Sequence, residues 1–302
     1  MRVDQHRVVV DPKYKYKRLD PLPSPEELEG FYRDKYYDLA AAGGRAPEIN
    51  RILKGGEEAE AELAWLDQTL WSDIKHTLDE LIGNTKGRRL LDIGCGTGHF
   101  GAYMADAGWD VVGIEPSKDS KIYSNMFQFK VYSSMDECIA SETEKFDAVT
   151  SLNVLEHVSD PINFLKRAMH FVSSHGILII RVPNDFTSIQ EAARQKFNMD
   201  PWWIAFPDHI NYFNFESLER LLEDLGVEIL VEQGDFPMEM FLLFGDNYVG
   251  EPKLGSICHR KRKSFELSTP ANLRRDLYRC FARNGIGRSS LIFAKLLSPC
   301  GD

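Results

Sequence analysis

The sequence predicts an α/β fold, a doubly wound sheet of seven strands that are mostly parallel, with an N-terminal extension of strand and helix and with lid insertions after strands five and six. Three observations predict it. Short apolar runs alternate with segments of helical periodicity from about position 57 onward. Ile177, Leu178, Ile179 and Ile180 form an unbroken apolar run, as a strand buried on both faces requires. Residues 89–119 read strand, glycine turn, helix, strand, acid, the order of a βαβ unit that presents a helix N-terminus to a ligand.

The bulk numbers bound the function. A chain of 302 residues with 43% hydrophobic content buries one large core with attached additions. A formal net charge of −10 argues against a surface built for nucleic acid or an anionic membrane, which needs Lys and Arg to neutralise phosphates. A small-molecule acceptor is the expected partner. There is no apolar signal segment at the N-terminus and no apolar run of spanning length, so a soluble, cytoplasmic protein is expected. The five cysteines form no C-x-x-C pair and no disulfide framework.

In chain order, residues 1–56 read as the extension and 57–302 as the main domain. Val8 to Val10 and the alternating Lys13, Tyr14, Lys15, Tyr16, Lys17 suit a half-exposed strand or hairpin. Ser24, Pro25 and Glu27 form a capping box for a helix carrying Leu28, Phe31, Tyr32 and Tyr36. Two Gly-Gly pairs in residues 40–56 mark a connector. One long amphipathic helix is expected over residues 57–81, with Leu63, Leu66, Leu70, Ile74 and Leu78 inward.

The glycine turn is the first motif with chemical content. Gly94, Gly96 and Gly98 are spaced G-x-G-x-G, whereas a dinucleotide turn needs a third glycine where His99 stands. Cys95 qualifies for this turn by its small size. LLDIGCGTG followed by VVGIEPS resembles the first two motifs of class I S-adenosylmethionine (SAM) methyltransferases. The resemblance implies that Asp92, Gly94, Cys95, Gly96 and Gly98 hold the methionine end of SAM. It implies that Glu115, followed by Pro116, grips the ribose hydroxyls, and that Ser134 and Met135 lie beside the adenine. FDAVTSLNVLEHVSDP resembles the fourth-strand motif of the same family, which implies Asn153 and Val154 near the cofactor and His157, at the start of the crossover, as an acceptor contact.

After a helix from Pro161 and the fifth strand at residues 176–182, the chain leaves the regular pattern twice. Residues 183–215 carry Trp202, Trp203, Phe206, Tyr212 and Phe213, enough for an apolar pocket wall, with Asn184, Trp203 and Tyr212 as acceptor contacts. After a sixth strand at 227–232, residues 233–288 hold Glu239, Asn247, a basic run at 259–263 and a helix near 271–283. The basic run reads as a solvated loop, with a phosphate contact as the alternative. SSLIFAKLL then supplies the antiparallel seventh strand.

Two further resemblances concern the acceptor. The Pro-x-Pro, Glu-Glu-Leu, Phe-Tyr, Tyr-Tyr succession is similar to the lead-in of sugar and natural-product methyltransferases, which implies that Tyr36 and Tyr37 border the acceptor. Some members of that group carry a zinc ribbon there; the first cysteine here is Cys95, so no metal is expected. PDHINYFNF resembles a stretch in which an acid and a histidine precede an aromatic, and implies His209 as general base with Asp208 as its acid. The expected activity is SAM-dependent methyl transfer, with S-adenosylhomocysteine as product, to a sugar, nucleotide-linked or glycosylated. A phenolic or other natural-product hydroxyl is the second acceptor class. A NAD-dependent oxidoreductase and a non-catalytic SAM-binding protein are the competing readings.

Overall fold

The computed structural model describes residues 7–24, 26–28, 30, 47–83, 86–117, 129–206 and 209–297. Its strands are β1 (Arg7–Val10), β2 (Lys17–Asp20), β3 (Arg89–Ile93), β4 (Asp110–Ile114), β5 (Lys130–Tyr132), β6 (Phe146–Leu152), β7 (Val172–Pro183), β8 (Asn211–Tyr212), β9 (Val227–Gln233) and β10 (Ser289–Leu296). A seven-stranded sheet has the order β5-β4-β3-β6-β7-β10-β9. β3 pairs in parallel with β4 and β6, and β4 with β5. β10 runs antiparallel to both β7 and β9. This is the doubly wound, mostly parallel sheet with an antiparallel strand near one edge that the apolar runs predict.

The chain divides into two compact units, one of Pro23–Ser151 with Arg167–Ile177, the other of Met1–Leu22, Leu152–Lys166 and Leu178–Asp302. The first holds the glycine turn. Its helices are α1 (Pro47–Lys54), α2 (Gly56–Gln68), α3 (Leu70–Ile82), α4 (His99–Asp106) and α5 (Met135–Ser141). Leu90, Leu91, Val111, Val112, Ile74 and Leu78 are buried in its core. Where one helix is expected over 57–81, two form. Thr69 donates its hydroxyl to Trp65 O at 2.6 Å, and its backbone N–H goes to Leu66 O at 3.2 Å instead of one residue further back. That local competition for carbonyls ends α2. The face turned inward on α2 is therefore Ala59, Glu62 and Trp65, with Leu63 and Leu66 only half-buried. Buried Glu62 is neutralised by Arg51 at 2.8 Å.

A further helix, α6 (Pro161–His170), follows β6. The second unit contains α7 (Ser188–Phe197), α8 (Phe215–Asp224), α9 (Glu239–Phe244), α10 (Pro252–Ser268) and α11 (Ala271–Ala282). It also holds a small sheet in which β2 pairs with β1 and β8, so the expected N-terminal hairpin forms. Lys13 and Tyr14 from its turn both reach Asp224 at the end of α8, at 2.6 and 2.8 Å.

The basic run departs from expectation, since it lies within α10 and not in a loop. Arg262 is buried and pairs with Asp235 and Glu266, each at 3.3 Å, while Lys261 pairs with Asp246 at 2.9 Å. Burying a charge is tolerated only when it is paired and hydrogen-bonded, and Glu266 also accepts from Tyr278 Oη at 2.5 Å. Arg262 is thus spent on the fold. The expected excursion at 183–215 likewise contains ordered structure: α7 starts in a full capping box between Thr187 and Gln190.

Candidate active site

In the first unit the sheet brings three polar side chains to the ends of adjacent strands. Asp92 is in register with Gly113 of β4 and with Thr150 of β6. Thr150 Oγ1 donates to Asp92 Oδ1 at 2.7 Å. Burial pushes the Asp92 carboxyl up to about 7; the Thr150 hydroxyl opposes this and the charge of Glu115 adds to it. Glu115 stands just past β4 and is 8% exposed. Its Oε2 accepts from Gly96 N at 3.0 Å and its Oε1 from Ser117 N at 2.9 Å. Burial raises its pKa, and those two N–H donors pull it back.

The turn itself is tight. Gly94 N and Cys95 N both donate to Ile114 O, at 2.7 and 3.1 Å. The turn leaves no room at Gly113, where a Cβ would come within 2.7 Å of Cys95 Sγ. Gly98 enters α4 in the left-handed region at φ 80°, with no side chain capping the helix. The leading N–H groups of α4 are therefore not taken by a side-chain cap. An acceptor-only carboxylate suits a ribose diol, and an uncapped helix N-terminus suits an anionic group.

The other nucleotide-side expectations divide. Met135 is buried beside Ser134, whose hydroxyl caps α5 by accepting from Glu137 N at 3.2 Å. Pro116 is exposed between buried Glu115 and Ser117. Asn153 follows β6 with φ 59°, and its Oδ1 accepts from Arg181 Nη1 at 2.9 Å. Val154 begins the single turn at Leu155–His157.

In the second unit, that turn places Glu156 and His157 beside His209. His157 Nε2 is 3.7 Å from Glu156 Oε1, and the two imidazole rings meet edge to face at 5.0 Å. His209 is fixed on both sides: its N–H donates to Ala205 O at 2.9 Å, and its carbonyl accepts from Tyr212 Oη at 2.9 Å. Ile210 N donates to Glu156 O at 2.9 Å, which locks the histidine segment to the turn after β6. Burial pushes the Glu156 carboxyl up to about 8. One ligand atom from each of Glu156, His157 and His209 lies within 4.8 Å of the others, a spacing a divalent cation could use.

Trp203 is buried and meets Phe186 edge to face at 5.4 Å, as does Tyr212 at 5.8 Å. Asn184 is fully buried and donates from Nδ2 to Gly285 O and Gly287 O at 3.0 and 2.9 Å. Tyr36, Tyr37 and Asp208 lie outside the described residues. The sequence reading assigned no role to Glu156. Its signal was available: it is an acid set in an otherwise apolar stretch, VLEHV. Among the described residues, no helix is long and apolar enough to cross a membrane.

Comparison with known proteins shows the family and the fold. A family model described as a methyltransferase domain matches residues 66–232, more than half of the chain. The curated relatives include the ubiquinone biosynthesis O-methyltransferase of Azorhizobium caulinodans, 36% identical over 105 residues, which are 33% of this chain and 42% of that protein. The protein of the same name from Sinorhizobium fredii is 30% identical over 162 residues, 50% of this chain and 64% of that protein. The matched stretches thus span about half the length of these relatives. Among solved structures, the [4+2]-cyclase SpnF superposes with a TM-score of 0.51 at 17% identity, covering 91% of this chain and 98% of that one. The plantazolicin methyltransferase BpumL, in complex with a monoazolic desmethylPZN analog and SAH, does so at 0.50 and 15% identity, covering 90% and 97%. At such identities these two likenesses speak to the fold alone.

Proposed function

The chain belongs to the methyltransferase domain family, and from that premise we propose that it transfers the methyl group of SAM to a hydroxyl of a small polar acceptor, with His209 as the general base. The observation that carries the proposal is the Glu115 carboxylate, held by Gly96 N and Ser117 N beside the uncapped start of α4. This donor set fits SAM. Glu115 would accept from the ribose hydroxyls, and the α4 N-terminus would face the methionine carboxylate. SAM, when bound, supplies a methyl already made electrophilic by its sulfonium.

The protein's own residues have two remaining tasks, alignment and proton removal. With SAM bound, the acceptor hydroxyl would take the methyl group in exchange for the carbon–sulfur bond, giving S-adenosylhomocysteine, and the His209 imidazole would accept the hydroxyl proton. An imidazole accepts a proton near neutral pH, and a positioned base contributes about 10²- to 10⁴-fold. Tyr212 and the Glu156 backbone hold the segment that carries His209. Transfer to oxygen, rather than carbon or nitrogen, is supported by the name shared by the curated relatives. A nicotinamide oxidoreductase is disfavoured by His99, which occupies the third-glycine position and is engaged with Thr97 Oγ1 at 2.8 Å. Sugar and phenolic hydroxyls both meet the chemical requirement.

The test is direct. Titration calorimetry should detect S-adenosylhomocysteine binding to the wild-type protein, and methyl-labelled SAM with a panel of nucleotide sugars and phenols should yield an O-methylated product by mass spectrometry. Absence of S-adenosylhomocysteine binding sinks the proposal. Binding with label appearing on carbon or nitrogen overturns its O-methyl part.

A further inference from the structure

At the end of β7 the chain turns through Asn184, Asp185 and Phe186, and the second insertion returns Glu239 at the start of α9 to the same place. Asp185 and Glu239 are 6% and 4% exposed, and each bears on the charge of the other or of a shared neighbour. Gln190 joins them. Its Oε1 accepts from Thr187 N at 3.1 Å and its own N donates to Thr187 Oγ1 at 3.3 Å, so the capping box fixes which way its amide faces. Nε2 is thereby directed to Asp185 Oδ1 at 3.4 Å, and the Gln190 side chain also pulls the Glu239 carboxyl down against burial. The charge of Arg288, at the entry to β10, pulls both carboxyls down against burial.

The frame around the pair is rigid. Asp185 N donates to Phe213 O at 2.7 Å, Asn184 N to Arg288 O at 2.9 Å, and Asn184 Nδ2 to the two glycine carbonyls before β10. Phe186 is held at φ 57°, a left-handed conformation unfavourable for an aromatic residue, by Trp203, Tyr212 and the Lys17 ammonium 3.6 Å above its ring. Strain of this kind persists where surrounding structure over-determines it, and it clusters at ligand clamps.

Within this frame acceptors outnumber donors. Glu239 Oε2 and Asn184 Oδ1 are buried with no hydrogen-bond partner among the described residues. Buried polar atoms in folded proteins are nearly always paired, so these two call for a donor the chain does not supply. An anion brings none. A further cation is not required, because the charge of Arg288 already acts on both carboxyls. A neutral ligand with adjacent hydroxyl hydrogens matches two carboxyls that share Gln190 as a neighbour.

We propose that Asp185 and Glu239, together with Gln190, form an acceptor-recognition subsite that takes the two hydroxyls of a vicinal diol. The subsite rests on the methyl-transfer reading for its place in catalysis, but its test is separable. A sugar ring and a catechol ring both present the diol, and matched probes distinguish them: methyl α-D-mannopyranoside against its 2-deoxy analogue, and catechol against phenol. Binding of each to protein saturated with S-adenosylhomocysteine is measured by calorimetry and by ligand-observed NMR.

One diol should bind about tenfold or more tightly than its monohydroxy partner, because a site built to hydrogen-bond a hydroxyl strongly rejects the analogue lacking it. Asp185→Asn and Glu239→Gln should abolish that preference while leaving S-adenosylhomocysteine affinity unchanged. The deoxy comparison on the wild type stands even if a variant fails to fold. Failure of both diols to bind, equal binding of diol and mono-ol, or a preference surviving in both folded variants overturns the subsite. So does selective binding of an amine probe such as tyramine over catechol. Loss of S-adenosylhomocysteine binding by the wild type would instead strike the methyl-transfer reading.

Discussion

The acids of the two units are stabilised in opposite ways. Glu115 receives a backbone N–H on each oxygen, and Asp92 receives the Thr150 hydroxyl, so the cofactor-side carboxylates are largely furnished with donors by the chain. Glu156 and Glu239 each keep a buried oxygen without a partner among the described residues, and Asp185 has one weak amide donor at 3.4 Å. A group furnished with donors is pre-organised for a ligand of fixed chemistry, as a shared methyl donor would be. A group short of donors is completed by what it binds, which is what acceptor specificity requires.

The largest expected effect that would sharpen this contrast is on the acceptor side. His209→Ala should lower the methylation rate about 10²- to 10⁴-fold while leaving S-adenosylhomocysteine affinity within about twofold. Single-turnover kinetics with calorimetry measure both, and a parallel loss of cofactor affinity would break the division of labour. On the cofactor side, Glu115→Ala should weaken S-adenosylhomocysteine by about 10²-fold, since charge-assisted hydrogen bonds to both ribose hydroxyls are lost. An affinity unchanged in calorimetry would remove Glu115 from the ribose. Thr150→Val should be milder, about 2- to 10-fold, because it deletes one neutral donor to Asp92 and leaves the cradle intact.

The same contrast explains what could be read in the amino-acid order. The glycine turn, Asp92 and Glu115 lie within one short stretch, where backbone geometry and residue type are tied to each other locally. The sheet was legible because buried strands such as residues 177–180 must be apolar throughout. Asp185 with Gln190, Glu239 and Arg288 come from three segments spread over about a hundred positions, and nothing local marks the three segments as neighbours. His209 was found by resemblance, but its setting beside Glu156 and His157 depends on a backbone bond between Ile210 and Glu156 that no periodicity encodes. The basic run failed as a loop for a related reason. Arg262 is held by Asp235 and Glu266, and charge alone does not say whether a residue is solvated or paired.

The smallest effect tests the donor-poor acid Asp185 by pH. Burial holds the Asp185 carboxyl up at about 7 in the fold, against an ordinary carboxylate value in the unfolded chain. Below the ordinary value both states are protonated and nothing is lost. As pH rises through it the unfolded chain releases its proton while the fold retains it, so stability falls until the folded group ionises near 7, and is level above that. Asp185→Asn carries no such proton and mimics the protonated form. The variant should therefore melt about 2–4 °C above the wild type at pH 8, with the difference shrinking toward zero near pH 4. The diol probe of the subsite adds a second condition. A hydroxyl donor bound at Asp185 favours its ionised form, so binding should narrow the gap at pH 8, and differential scanning calorimetry with and without the probe reads both changes. A gap independent of pH would mean that the Asp185 carboxyl is already fully furnished with donors, and the contrast between the two sets of acids would fail at its most exposed point.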